Sequence, residues 1–139
     1  MIGDISAEEV KIKIGSACPL KEETSMDVRG RDLISGLPKT INITSEEIRQ
    51  ALSDSVEQIV DAVKATLEKT PPELAADVID NGIIIAGGGA TLKGIGKVIN
   101  KSTDIPVYIA ESPRECVVTG AGKTLEELKT LRKILLSDN

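Results

Sequence analysis

The spacing of apolar residues changes period several times along the chain, and each change predicts an element. Near the start, Ser6 and Glu9 stand at capping-box spacing, which predicts a short helix ending at Gly15, although the alternation in VKIKI also fits a strand. Met26 and Val28, then Ile41 and Ile43, alternate with polar neighbours on either side of the turn residues ISGLP, predicting an antiparallel hairpin. Thr44 and Glu47 repeat the capping-box spacing ahead of Ile48, Leu52, Val56, Ile59, Val63 and Leu67, which mark one face of a long helix. Pro71 and Pro72 must end it, because the ring removes an amide donor and crowds the previous turn. The same prolines suit the first turn of another helix, with Thr70 and Glu73 at cap spacing and Asn81–Gly82 as its stop.

In the second half, GIIIAG (82–87) is a continuous apolar run, the pattern of a strand covered on both faces. Leu92, Ile95 and Ile99 mark a weak helix starting at about Thr91 or Leu92, and IPVYIA (105–110) reads as a second buried-type strand. Ser112, Pro113 and Glu115 give a cap, a first-turn proline and a capping partner for a final helix running through CVVTGAGKTLEELKTLRKILL. Strand–helix–strand–helix order predicts an α/β layer with parallel strands, while the first half reads as a small α+β lobe.

Composition narrows the chemistry. The 139 residues fit one domain, or two small lobes sharing a core, and an apolar fraction of 40% is too high for disorder. A net charge of −5 and a single aromatic, Tyr108, argue against nucleic acid, which needs cationic and stacking surfaces. The chain has no histidine, and Cys18 and Cys116 lie far apart without neighbouring ligand types. That excludes imidazole-based zinc sites and histidine-activated nucleophiles, so no catalytic residue and no metal ligand is assigned. Both cysteines read as reduced core residues of a cytosolic protein. No run approaches the ~18 apolar residues of a membrane span, and the first residues have no signal-peptide character.

Three glycine-rich stretches compete for a ligand. TGAGKT (119–124) ends like a phosphate-binding loop, but that motif needs glycine at 117, where Val117 stands, and a strand before it. The dinucleotide fingerprint also fails, because the third glycine would fall on Leu92 or on Ile99. Gly120 and Gly122 read instead as positions inside the last helix where a neighbouring backbone can approach. AGGGAT (86–91) survives: glycines directly after a buried strand, with a helix beyond, let ligand atoms lie against bare backbone. A tight strand-to-helix turn without a ligand fits the spacing equally well.

TPPELAADVIDNGIIIAGGGATLKGI, taken with SAEEVKIKIGSA, RGRDLISGLPKTINITSEEIRQAL and ECVVTGAGKTLEEL, resembles the MreB/Mbl bacterial actin homologues collinearly over nearly the whole chain. The resemblance implies a partial actin-like ATPase fold of the ribonuclease H-like class. Residues 1–46 would be the outer small subdomain of domain II, 47–114 the later part of its inner subdomain, and 115–139 the C-terminal interdomain helix. It further implies that Gly87, Gly88, Gly89, Ala90 and Thr91 line the adenosine side of an ATP site. Glu8 and Lys11, with Glu9 and Val10 between them, would flank base and ribose. Without the resemblance, Glu8 and Lys11 read as an exposed ion pair within a helix.

In that family the Asp-led phosphate loops and the Mg²⁺ site precede the stretch matched here, so the chain by itself is expected to be inactive as an ATPase and to keep only the adenosine side. Leu125, Leu128, Leu131 and Leu135 would lose a docking partner, leaving the helix to fold back or dimerise. Membrane contact through Lys129, Arg132 and Lys133 is less favoured, and any such contact is expected to be indirect. The implied function is an ATP-dependent cytoskeletal filament that directs cell shape and cell-wall synthesis. Its setting is the cytoplasm at the inner face of the membrane, and its partners are other copies, full-length relatives and the cell-wall elongation machinery. The alternative is half of a split ATPase or sugar-kinase-like enzyme whose partner chain supplies the phosphate loops.

Overall fold

The computed structural model describes residues 1–127 and residue 131. The chain opens with helix α1 (Asp4–Ile14), then strands β1 (Ser25–Arg31) and β2 (Pro38–Thr44), and the long helix α2 (Ser45–Glu68). Helix α3 (Pro72–Asn81), strand β3 (Ile83–Ile85), a 3-10 turn (Gly88–Thr91), α4 (Ile95–Thr103), β4 (Val107–Ile109) and α5 (Cys116–Glu126) follow. β1 and β2 pair antiparallel with Met26 opposite Ile43 and Val28 opposite Ile41, so the predicted alternation puts its apolar residues in cross-strand pairs. β3 and β4 pair parallel, Ile83 with Val107 and Ile85 with Ile109, connected through α4 as the strand–helix–strand order requires.

Two apolar clusters hold these elements. Val56 and Val60 of α2 meet Ile95 and Ile99 of α4, with Ile83, Ile85 and Val107 packed around them. Val10 and Ile14 of α1 meet Val28 of β1, with Met26, Ile43 and Ile48 alongside. Of the expected α2 stripe, Val56, Val63 and Ile48 pack into these clusters, and Ile59 departs from it. Val60 is buried, whereas Ile59 is 45% exposed and turned away from the cluster.

Of the predicted capping boxes only Thr44–Glu47 forms: the Thr44 hydroxyl takes the Glu47 amide, and the Glu47 carboxylate takes the Thr44 amide at 2.8 Å. Ser6 lies inside α1, whose cap is Gly3, three residues earlier than the spacing indicated. The Thr70 hydroxyl donates back to the Thr66 carbonyl at 2.8 Å, finishing α2 rather than starting α3, which is capped by Pro71. The Ser112 carbonyl accepts the Glu115 and Cys116 amides in a turn, and α5 starts only at Cys116. The helix expected at Thr91 is likewise displaced: a 3-10 turn comes first, and α4 begins at Ile95 behind Gly94.

The apolar run at 82–87 also differs from its expected burial. Positive φ at Gly82 and at Gly87, 82° and 85°, confines the strand to Ile83–Ile85, and Ile84 is 72% exposed, so one face of the strand is uncovered among the described residues. At Gly120 and Gly122 no described atom beyond the local helix backbone lies within 4 Å of where a Cβ would stand, so the expected close approach is absent among the described residues. Leu128, Leu135, Lys129, Arg132 and Lys133 lie outside the described residues.

A polar knot ties the segment after α1 to the start of α2. The buried Ser45 hydroxyl accepts the Thr24 amide at 2.9 Å and donates to the Glu23 carboxylate, which also accepts Arg49 at 2.9 Å. The Ser45 hydrogen bond, assisted by the Leu20 amide and Arg49, holds the Glu23 carboxyl below its ordinary value of 4.5. In the hairpin turn, the Ser35 and Ile34 amides do the same for Asp32, whose ordinary value is 3.8. Both folded-state values are depressed, so below about pH 4.5 the unfolded chain binds more protons and stability falls with pH. The contribution is complete above the ordinary carboxylate values and is lost as pH drops through the folded ones. Thermal midpoints measured from pH 7 to pH 3 are expected to fall less steeply for Glu23→Gln than for the parent chain; identical slopes would remove Glu23 from the account.

Candidate functional site

The glycine stretch sits where β3 ends. Gly87 turns the chain with φ 85°, and its amide is held by the Pro113 carbonyl at 2.6 Å, so the segment after β4 is pinned beside it. Gly88 and Gly89 open the 3-10 turn, and their amides have no acceptor within it. The Thr91 hydroxyl closes the turn by donating to the Gly88 carbonyl at 2.6 Å. Ala90 is buried beneath, at 4% exposure.

This turn forms one wall of a cavity of about 670 Å³ whose other wall is α1. Of the residues expected at a ligand site, Glu8, Lys11, Gly88, Gly89 and Thr91 line it together. Four others are not in its lining. Val10 points into the cluster around Ile14 and Val28, Glu9 pairs with Lys13 at 3.8 Å on the exposed side of α1, Gly87 precedes the turn, and Ala90 is buried. Glu8 and Lys11, three apart on α1, therefore share the cavity face as the helical repeat requires.

Sequence reasoning assigned no site role to the remaining lining residues, among them Ile59, Lys93 and Arg114. Ile59 lines the cavity because it sits off the buried stripe of α2, Lys93 follows the 3-10 turn, and Arg114 lies beside the pinned Pro113. Only the long-range packing of these segments brings them to α1, and no local motif announces it. The lining carries Lys11, Lys93 and Arg114 against Glu8, a positive balance within a chain of net charge −5, which favours an anionic ligand.

The glycines themselves are informative. A Cβ built on Gly88 or Gly89 meets nothing within 4 Å, and neither residue has the positive φ that excludes side chains. Neither packing nor backbone conformation within the described residues demands glycine at these two positions, so bare backbone faces an open hollow. That arrangement fits a flat ligand laid against the turn while its polar edges reach Glu8 and Lys11.

Comparison with known proteins identifies the frame around this hollow. The chain is 45% identical over 137 residues to the cell shape-determining protein Mbl of Bacillus subtilis, covering 99% of this chain and 41% of the relative. It is 44% identical over 126 residues to the cell shape-determining protein MreB of Escherichia coli, covering 91% of this chain and 36% of the relative. The crystal structure of MreB 5 of Spiroplasma citri bound to AMPPNP superposes with a TM-score of 0.89 at 41% identity, over 97% of this chain and 40% of that one. The fold is accordingly part of the actin-like architecture, and the chain spans about two fifths of the length of the curated relatives it matches. The sequence profile of the MreB/Mbl proteins matches residues 1–133, and the chain belongs to that family.

Proposed function

We propose that this chain carries the adenosine-binding part of an MreB-type cytoskeletal protein, one that polymerises with ATP, lies at the cytoplasmic face of the membrane and directs cell-wall synthesis and cell shape. The observation that carries the nucleotide reading is the pair Gly88 and Gly89, unforced by packing, opposite Glu8 and Lys11 across one cavity. The solved relative bound to AMPPNP supports it. In this reading residues 1–46 act as the outer subdomain, 47–114 as the later inner subdomain and 115–139 as the interdomain helix. The chain's own residues bind and orient the nucleoside. Glu8 accepts from ribose or base donors, Lys11 and Arg114 add positive charge, and the first amides of the turn donate. When ATP is bound, its phosphates and Mg²⁺ supply the hydrolytic chemistry; no metal ligand or catalytic group of this chain is assigned to it. A thermal melt with and without millimolar ADP tests the reading: a ligand of the native state raises the midpoint, and an unmoved midpoint overturns it.

Self-association follows the same reading. Leu33, Ile34 and Leu37 stand out at the hairpin tip, Ile34 at 99% exposure, flanked by Arg29 and Arg31, with Lys39 paired to Asp32 at 3.4 Å. Helix α3 offers a complement around exposed Ile79, beside Asp77 and Asp80. Apolar tip against apolar helix, basic rim against acidic rim, makes a head-to-tail contact of the kind that propagates into filaments. Ile34→Asp is expected to weaken self-association by about tenfold or more in sedimentation velocity, because it desolvates a charge beside the acidic rim. An unchanged distribution would clear the hairpin tip of that role.

A further inference from the structure

Lys93 belongs to the glycine-bearing wall of the cavity, between the 3-10 turn and α4, yet it bonds twice to the opposite side. Its carbonyl accepts the Ala17 amide at 2.8 Å, and residues 16 and 93 form an isolated parallel bridge. Its ammonium donates to the Lys13 carbonyl at 3.0 Å. Lys13 lies in the last turn of α1, where carbonyls lack acceptor use within the helix and a cation suits the negative end of the helix dipole. Glu8 and Lys11 stand earlier on that same helix, so whatever fixes its C-terminal turn fixes their distance from Gly88 and Gly89.

We infer that Lys93 is a positioning residue: its side chain straps the end of α1 to the glycine turn and sets the spacing at which one ligand can touch both walls of the cavity. The inference rests on the nucleoside reading given above. Backbone pairing at Ser16 and Ala17 fixes the chain that leaves α1, and the ammonium adds a contact to the helix itself, which a backbone bridge alone does not supply. A four-carbon stem is long enough to span from one wall to the other while its charged end meets a carbonyl that would otherwise bond only to water.

A positioning role and a direct anion contact predict different things. If Lys93 sets the spacing, its loss weakens uncharged adenosine and charged ADP by the same factor. If Lys93 instead pairs with phosphate, only ADP suffers. Titrations of the ¹⁵N-labelled chain with adenosine and with ADP, read at the Gly88, Gly89 and Lys11 amides, separate the two. In Lys93→Met both ligands are expected to bind about tenfold more weakly, the loss of a charge-assisted hydrogen bond, with the Lys11 response reduced most. Lys93→Arg, which keeps a cationic donor of similar reach, should restore both affinities. Lys93→Gln, polar but shorter, repeats the test should the Met variant unfold, and it should bind as weakly as the Met variant. Unchanged affinities in Lys93→Met, or weakening confined to ADP, overturn the inference while leaving the nucleoside site standing. Failure of both ligands to move Gly88 or Gly89 in the parent chain removes the site and the strap together.

Discussion

Gly88→Val should abolish the rise in melting temperature expected of the parent chain with adenine nucleotides, while leaving the melting temperature without nucleotide almost unchanged. The two halves of that expectation have separate physical grounds. Without ligand, the new side chain projects into empty space, since nothing lies within 4 Å of its Cβ and the backbone there is ordinary. With ligand, three heavy atoms occupy the volume where the nucleoside would contact the main chain, and native-state binding no longer adds RT ln(1 + [L]/Kd) to stability; at a ligand concentration of 100 times Kd the lost increment is about 2.7 kcal/mol. Differential scanning fluorimetry at several ADP concentrations measures both. A variant that still gains stability as the parent does would mean that ligand binds elsewhere. A variant that melts early without ligand would mean that the glycine serves packing after all.

Ile99→Ala is expected to carry the largest stability effect. The side chain is 2% exposed at the centre of the cluster formed with Val56, Val60 and Ile95, and truncation there removes burial and leaves a void, together worth about 2–5 kcal/mol. Domains of this size have about 5–15 kcal/mol in all. The damage should spread to function, because Ile83, Ile85 and Val107 lean on the same cluster and β3 delivers the glycine turn. Urea unfolding followed by circular dichroism gives the loss directly, with Ile5→Ala as comparison, since Ile5 is 80% exposed and should shift by no more than about 0.5 kcal/mol. Equal shifts for the two variants would contradict the assigned core.

Local signals were legible in proportion to how local their causes are. The hairpin, the Thr44–Glu47 box and the Asn81–Gly82 stop each depend on a few consecutive residues, and each forms as its spacing indicates. The three false caps at Ser6, Thr70 and Ser112 have the same spacing but another backbone state. Thr44 leaves a strand with extended φ and ψ of −96° and 154°, which aims its hydroxyl at the next amides, whereas Thr70 trails a finished helix and bonds backward. The GIIIAG run is not covered on both faces, because composition alone does not say what lies across a strand; here Ile84 faces outward. At the site, the glycine triplet was visible in the sequence, and its meeting with Glu8 and Lys11 came from resemblance to a family. Ile59, Lys93 and Arg114 carried no signal of a site, because nothing within several residues of any of them encodes a cavity assembled from segments as far apart as positions 8 and 114.

The two glycines that bracket β3 also limit the length of extended apolar chain it presents. Fibril-forming zippers need about six or seven consecutive residues of strong β character, and III preceded and followed by ordinary residues would be a fair start on one. Gly82 and Gly87 bend out of the extended conformation on either side, with a Cβ at Gly82 falling 2.7 Å from the Pro106 carbonyl, so the ladder stops after three rungs. Both glycines thus hold this apolar tripeptide below the length that such zippers need.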